Sequence, residues 1–139
     1  MTELSRSSVS LRFFGEHLDP DVLTKSLGRD PTVGAKTGQS WTTALGAVKI
    51  ARRGTWRLKT SDCVPADLDG QIMNLLSSLT TDLDVWREFT ALYDVDLFCG
   101  LFLATENEGI ALAAETLQEI ANRNLKIDFD IYYEPGMTR

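Results

Sequence analysis

Apolar and polar positions alternate most cleanly near the C-terminus. Over residues 125–133, Ile127, Phe129, Ile131 and Tyr133 fall on one side, and Lys126, Asp128, Asp130 and Tyr132 on the other. A period of two predicts a strand with one buried face. Residues 9–14, VSLRFF, repeat the pattern, with Val9, Leu11 and Phe13 opposed to Ser10, Arg12 and Phe14, and Gly15 as the stop. In residues 94–105, DVDLFCGLFLAT, both faces are apolar in the middle, which predicts a central strand or one covered on its second face. Residues 44–60 read as a hairpin with a three-residue loop at Arg52–Gly54 and Gly54 in the left-handed conformation. That register sets Ile50 opposite Trp56 and Val48 opposite Leu58. It also sets Lys49 opposite Arg57, a like-charge pair that Asp128 and Asp130 on a neighbouring strand would relieve.

The remaining segments carry the helical period. Asp19 is a good N-cap, Pro20 suits the first helical position, Leu23 and Leu27 share a face, and Gly28 can close the helix in the left-handed conformation. Residues 66–79 place Leu68, Ile72, Leu75, Leu76 and Leu79 in one stripe, with Gly70 weakening the first turn by about 1 kcal/mol relative to Ala. Thr81 or Asp82 can cap a second segment with Val85, Trp86, Phe89, Leu92 and Tyr93 on its apolar side. The two segments are one kinked helix or two helices, and the polar TTD at 80–82 favours a break. Residues 112–124 predict a last helix with Leu117, Ile120 and Ala121 inward and Asn124 closing it. Residues 29–43 read as an irregular loop leading into a strand, and 106–109 as a turn.

Together these elements predict an α+β fold. It is a two-layer sandwich with a mainly antiparallel sheet of about five strands and three to four helices on one face. The order strand–helix–strand–strand–helix–strand over 9–105 makes it partly ferredoxin-like. A chain of 139 residues predicts a single domain over 1–139, with 1–8 as a disordered N-terminus and 134–139 as a C-terminal tail.

Composition narrows the class. Hydrophobic residues make up 43% and charged residues 24%, as in ordinary globular proteins. No window approaches a membrane span, and the N-terminus has no signal-peptide pattern. Cys63 and Cys99 are too few for a disulfide framework or zinc site, and Cys99 sits in an apolar run as a small core residue. The expected setting is the reducing cytoplasm. Net charge is −6, unevenly spread: residues 1–60 hold ten Lys/Arg against five Asp/Glu, and residues 61–139 hold four against fifteen. The acidic sum argues against nucleic acid as a partner. The split predicts that the halves attract each other in the fold, or that one presents a charged face to a partner.

Motifs for chemistry are weak. Asp128 and Asp130, about 6–7 Å apart on one strand face, could serve a hard cation with Glu106 or Glu108. The blander reading is a solvated face with cross-strand ion pairs to Arg57, Lys49 or Arg12. His17, the single histidine, stands in a loop without a partner. GAKTG at 34–38 fails the phosphate-loop pattern in spacing and context. KIARRGTWRLK at 49–59 mixes bases with Trp56, but the expected register turns Trp56 inward. No catalytic residue, metal or cofactor is assigned.

Several stretches resemble a bacterial family known as domain of unknown function 4279: FFG followed by LDPDVLTKSLGRDPT, then KTGQSW, YDVDLFCGLFL, GIALAAETLQEIANRNL and KIDFDIY. The resemblance covers roughly residues 9–133. LDPD with the later DPT, and DFDIY after a helix, are its most specific pieces. It implies the fold and no activity. One departure is Ala113, where the resemblance implies a Ser or similar cap.

If helices cover the face of Val9, Leu11 and Phe13, the opposite face collects Arg12, Phe14, Arg57, Phe98, Phe102, Asp128, Asp130 and Tyr132, with Trp41 nearby. That face is either an open recognition surface or lies beneath another segment such as 29–43. The expected function is a non-catalytic protein-binding or regulatory module, with a protein partner or a second copy. A basic partner, as in a toxin and its immunity protein, fits size and charge. The alternative is a small enzyme, or a ligand- or metal-binding protein, using the sheet-face carboxylates.

Overall fold

The computed structural model describes residues 2–135. Met1 and the end of the expected tail, 136–139, lie outside the described residues. In chain order the elements are β1 (Thr2–Glu3), β2 (Arg6–Gly15), α1 (Pro20–Leu27), β3 (Val33–Ala35), β4 (Ser40–Thr42), β5 (Val48–Ile50), β6 (Gly54–Lys59), α2 (Leu68–Ser77), α3 (Leu83–Leu92), β7 (Asp94–Leu103), β8 (Glu108–Gly109), α4 (Ala114–Asn122) and β9 (Lys126–Tyr133). Residues 2–8, expected to lie outside the fold, thus carry β1 and the start of β2.

The fold is α+β. Five strands form the main sheet in the order β3-β6-β2-β7-β9. All neighbours are antiparallel except β7 and β9, which run parallel and are joined through α4. β2 is central because its alternation is complete: Val9, Leu11 and Phe13 are fully buried, while the residues between them point to the other face. β1 pairs with β8, and β4 with β5, as two small separate ribbons.

The helices share one layer. α1 lies against β6, α2 against β2 and α4, and α3 against β7. Their buried faces meet Val9, Leu11, Phe13, Trp56, Leu58, Leu97, Cys99 and Leu101 in one cluster. Phe13 sits at its centre, edge-on to Trp56 at 5.5 Å between ring centroids and close to Trp86 and Phe89. The helix ends follow their capping residues. Asp19 accepts from the Asp21 amide, Pro20 opens α1, and Gly28 closes it at φ +83°. Asp82 caps α3, so the polar TTD at 80–82 does lie between two helices.

Four expectations are corrected. β5 does not pair with β6. It pairs with β4, with Ser40 opposite Ile50 and Thr42 opposite Val48, because both edges of β6 are taken: β2 pairs along one, with Phe13 and Leu11 opposite Trp56 and Leu58, and β3, from the stretch 29–43 expected as a loop, pairs along the other. Consequently Gly54 is not a left-handed turn residue. It pairs with Gly15 at a close approach, where a Cβ would meet the Gly15 carbonyl oxygen at 2.7 Å. In α4 the buried residues are Thr116 and Ile120, and Leu117 is exposed, because the helix is rotated from its expected face. Finally, β9 overhangs the helical layer. Its residues 129, 131 and 133 lie on the helix side of the sheet, yet Phe129 is 46% and Ile131 63% exposed.

Candidate functional site

The open face of the sheet brings together most of the expected recognition residues, and the strand register arranges them in rows. The first row crosses three strands: Arg6, Phe102 and Tyr132 stand side by side. The Arg6 guanidinium lies over the Phe102 ring at 3.7 Å, and Phe102 stacks on Tyr132 at 5.0 Å, nearly parallel. Gly100 makes room for the stack, since a Cβ there would meet the Ser8 hydroxyl at 2.6 Å and the Phe102 ring at 3.0 Å. Tyr132 donates a short hydrogen bond to Asp130, which pushes the phenol up from its ordinary pKa.

A second row is ionic: Arg57, Arg12, Asp96 and Lys126 follow one another from β6 to β9. Arg12 donates from Nε and Nη2 to the two Asp96 oxygens at 2.8 and 2.6 Å, a bidentate pair. Burial pushes the Asp96 carboxyl up, but the Arg12 hydrogen bonds and charge, with Asp128 and Lys126 beside it, together outweigh burial and hold the acid below its ordinary value. Arg12 also lies over Phe98 at 4.1 Å. The like-charge contact expected between Lys49 and Arg57 therefore falls between Arg12 and Arg57. Its relief comes chiefly from Asp96, with a smaller electrostatic contribution from Asp128 and none from Asp130. Asp128 instead pairs loosely with Lys126, at 3.6 Å.

Arg57 is different. Its Nε donates to Thr55 Oγ1 at 3.1 Å, and among the described residues it has no carboxylate partner. Burial and the neighbouring Arg12 push the guanidinium below its ordinary pKa. Phe14 and Trp41 flank it at 5.3 and 5.8 Å. Trp41 arrives on the β4–β5 ribbon, which leans over this end of the sheet. A cavity of about 330 Å³ opens between ribbon and sheet, lined by Phe14, Trp41, Ile50, Thr55, Arg57 and the rim arginines Arg52 and Arg53. The segment 29–43 therefore covers one end of the face through Trp41, and the face is otherwise open.

The remaining candidates have structural duties. A cavity of about 380 Å³ near β1 is lined by Glu3, Asp67 and Asp69 among apolar groups, and the two aspartates are committed: Asp67 caps α2 at Gly70, and Asp69 accepts the Ala113 amide at 2.8 Å. Ala113 gives α4 no side-chain cap, and Asp69 of α2 instead anchors the Ala113 amide at the start of the helix. In GAKTG, Thr37 donates to the Glu16 carbonyl and accepts the Gly54 amide, so this loop braces the β2–β6 end. His17 is exposed on the turn after β2. Among the described residues no group of His, Cys, Asp and Glu could hold a metal ion, and neither cavity is lined by Asp128 or Asp130. Burial, with Asp96 and Asp128 nearby, pushes the Cys99 thiol up to about 12, leaving it inert.

A family model described as Domain of unknown function (DUF4279) matches residues 3–134. The chain belongs to the DUF4279 family. No curated protein and no solved structure matches it. In this DUF4279 chain no described helix is long and apolar enough to cross a membrane. Two site features escaped the sequence reading. Asp96 looks like an ordinary strand-end acid, and only the Arg12 register reveals its role. Arg6, placed in the expected disordered segment, turns out to build the aromatic stack; the alternation of residues 6–14 was the available signal.

Proposed function

We propose that this DUF4279 protein is a non-catalytic protein-binding module that takes a strand of a basic partner along β9. We also read the path of β2, α1, β3, β6, α2 and β7 as ferredoxin-like, with β9 appended. The observation that carries the binding reading is β9 itself. It is an eight-residue edge strand, paired among the described residues only on its β7 side, with Phe129, Ile131 and Tyr133 exposed on one face. A long apolar edge is a template for strand addition, and proteins normally blunt such edges. The opposite face of the same strand carries Asp128 and Asp130, so a strand alternating apolar and basic residues complements both sides. A second copy fits poorly. Antiparallel self-pairing centred on Asp128, Phe129 or Asp130 sets aspartate against aspartate. A basic toxin held by its immunity protein is one relationship of this kind, in the cytoplasm.

The test compares capture of partners from host lysate by wild type and by an Ile131→Lys/Asp130→Lys variant, followed by hydrogen exchange on the complex. Both substitutions are on exposed or half-exposed positions, so the fold is retained. The expected outcome is a basic partner held by wild type, lost from the variant, with slowed exchange along β9. Equal capture by both proteins, protection confined to other strands, or a wild type that captures nothing and stays monomeric when concentrated would each overturn the reading.

A further inference from the structure

The opposite end of the open face presents different chemistry, independent of β9. Three arginines, Arg52, Arg53 and Arg57, and no acid line the cavity beneath the β4–β5 ribbon, in a protein whose net charge is −6. Their neighbours do not neutralise them equally. Arg53 is paired with Asp94 at 2.8 Å on the surface, and Arg12 is fully engaged by Asp96. Arg57 has only the Thr55 hydroxyl, at Nε, so its two terminal nitrogens have no partner among the described residues. A half-buried guanidinium directly opposite another arginine is unfavourable unless an anion answers it.

We propose that this cavity binds a carboxylate carried on a flat apolar body, with the carboxylate on the free fork of Arg57 and the body against Trp41 and Phe14. The guanidinium fork matches a carboxylate in two parallel hydrogen bonds. The indole and phenyl rings, with Ile50, supply the apolar wall that orients such a ligand. A volume of about 330 Å³ admits one bicyclic ring system and excludes a folded domain. Arg52, exposed at the rim, draws the anion in. Two sources supply this chemistry: a small aromatic acid, or the C-terminal carboxylate of a peptide ending in an aromatic residue.

The experiment titrates the full chain with naphthalene-2-carboxylate and with its uncharged amide. In parallel it uses a short peptide ending in Phe, with either a free or an amidated C-terminus. Binding is read by calorimetry and by amide chemical shifts of residues 41 and 55–57. Saturable binding of a free acid, weakened about tenfold or more by amidation and by Arg57→Gln, is the expected result. Trp41→Ala should weaken the acid while leaving the fold intact, since Trp41 stands on a ribbon outside the main core. The tighter of the two free acids identifies the source. Arg57→Gln removes a charge next to Arg12, so its stability is expected to hold or rise, and a thermal melt separates lost binding from lost fold. Equal affinity for acid and amide, an unaffected Arg57→Gln variant, or no saturation by either acid at about 10 mM, where binding weaker than roughly 3 kcal/mol begins, would overturn the proposal. The β9 variant is expected to bind the acid normally, so the two surfaces fail or succeed separately.

Discussion

At the residue scale, the ionic row is held together by one carboxylate. Asp96 is 6% exposed and answers Arg12 through both oxygens, while Arg12 faces Arg57 on its other side. Asp96→Asn keeps the shape but leaves two neighbouring guanidinium groups with only the more distant Asp128 as counter-charge. Arg12 is a quarter exposed, so water softens the loss, and about 2 kcal/mol of destabilisation is expected. Urea unfolding measures it, and adding Arg57→Gln should restore part of the loss by removing the second cation. A coupling of zero in that double-mutant cycle would mean the two arginines do not sense each other. The parity of Arg12, Arg57 and Asp128 on one face was readable from alternation alone. Which acid meets which base was not, because that depends on strand order and register, and a one-step change in neighbours reassigns every pair.

At the element scale, local signals were legible where backbone chemistry decides and illegible where competition between strands decides. Asp19, Pro20, Gly28 and Asp82 act within a few residues: α1 begins and ends, and α3 begins, where those residues say. The ribbon at 40–50 shows the opposite case. Val48 and Ile50 match Leu58 and Trp56 well enough to suggest a hairpin, but β2 takes one edge of β6 and β3 the other, so β5 is left to β4. Gly70 marks a subtler limit. Helix propensity alone says that Gly70→Ala gains about 1 kcal/mol. In the fold, a Cβ there would meet the Asp67 carboxylate oxygen at 2.3 Å, and displacing that cap costs about 1 kcal/mol. The expected result is an unchanged thermal midpoint; a rise of several degrees would show that the cap rotates away without loss.

At the scale of the whole molecule, the uneven charge along the chain resolves into contacts between the halves. Arg6 with Asp62 and Glu134, Arg12 with Asp96, and Arg53 with Asp94 each join a residue from 1–60 to one from 61–139. The same split survives at the surface, with arginines at the β6 end of the open face and aspartates at the β9 end. The response to acid also belongs to this scale. Burial pushes the Glu108 carboxyl up, but hydrogen bonds from Ser5 and Thr105 outweigh it and hold it at about 2, below its ordinary 4.5. A depressed carboxyl stabilises the fold above its unfolded pKa and loses that contribution as pH falls towards the folded one. Glu108→Gln is therefore expected to melt lower than wild type at pH 6. The gap should shrink between pH 4.5 and about 2, as followed by thermal melts across that range. A gap that stays constant would mean Glu108 acts through shape and not charge.

The first strand of the main sheet in chain order, β2, occupies its middle. One flank of β2 is closed by residues 54–59 and the other only by residues 94–103, so both partners exist only once most of the chain has been made. Until then the growing polypeptide carries a half-finished sheet whose bare side is the sequence VSLRFF, greasy on one surface and backed by unpaired amides. Such a chain is slow to close, because distant segments must meet before any contact rewards them, and during synthesis it is a natural client for chaperones that shield exposed strands.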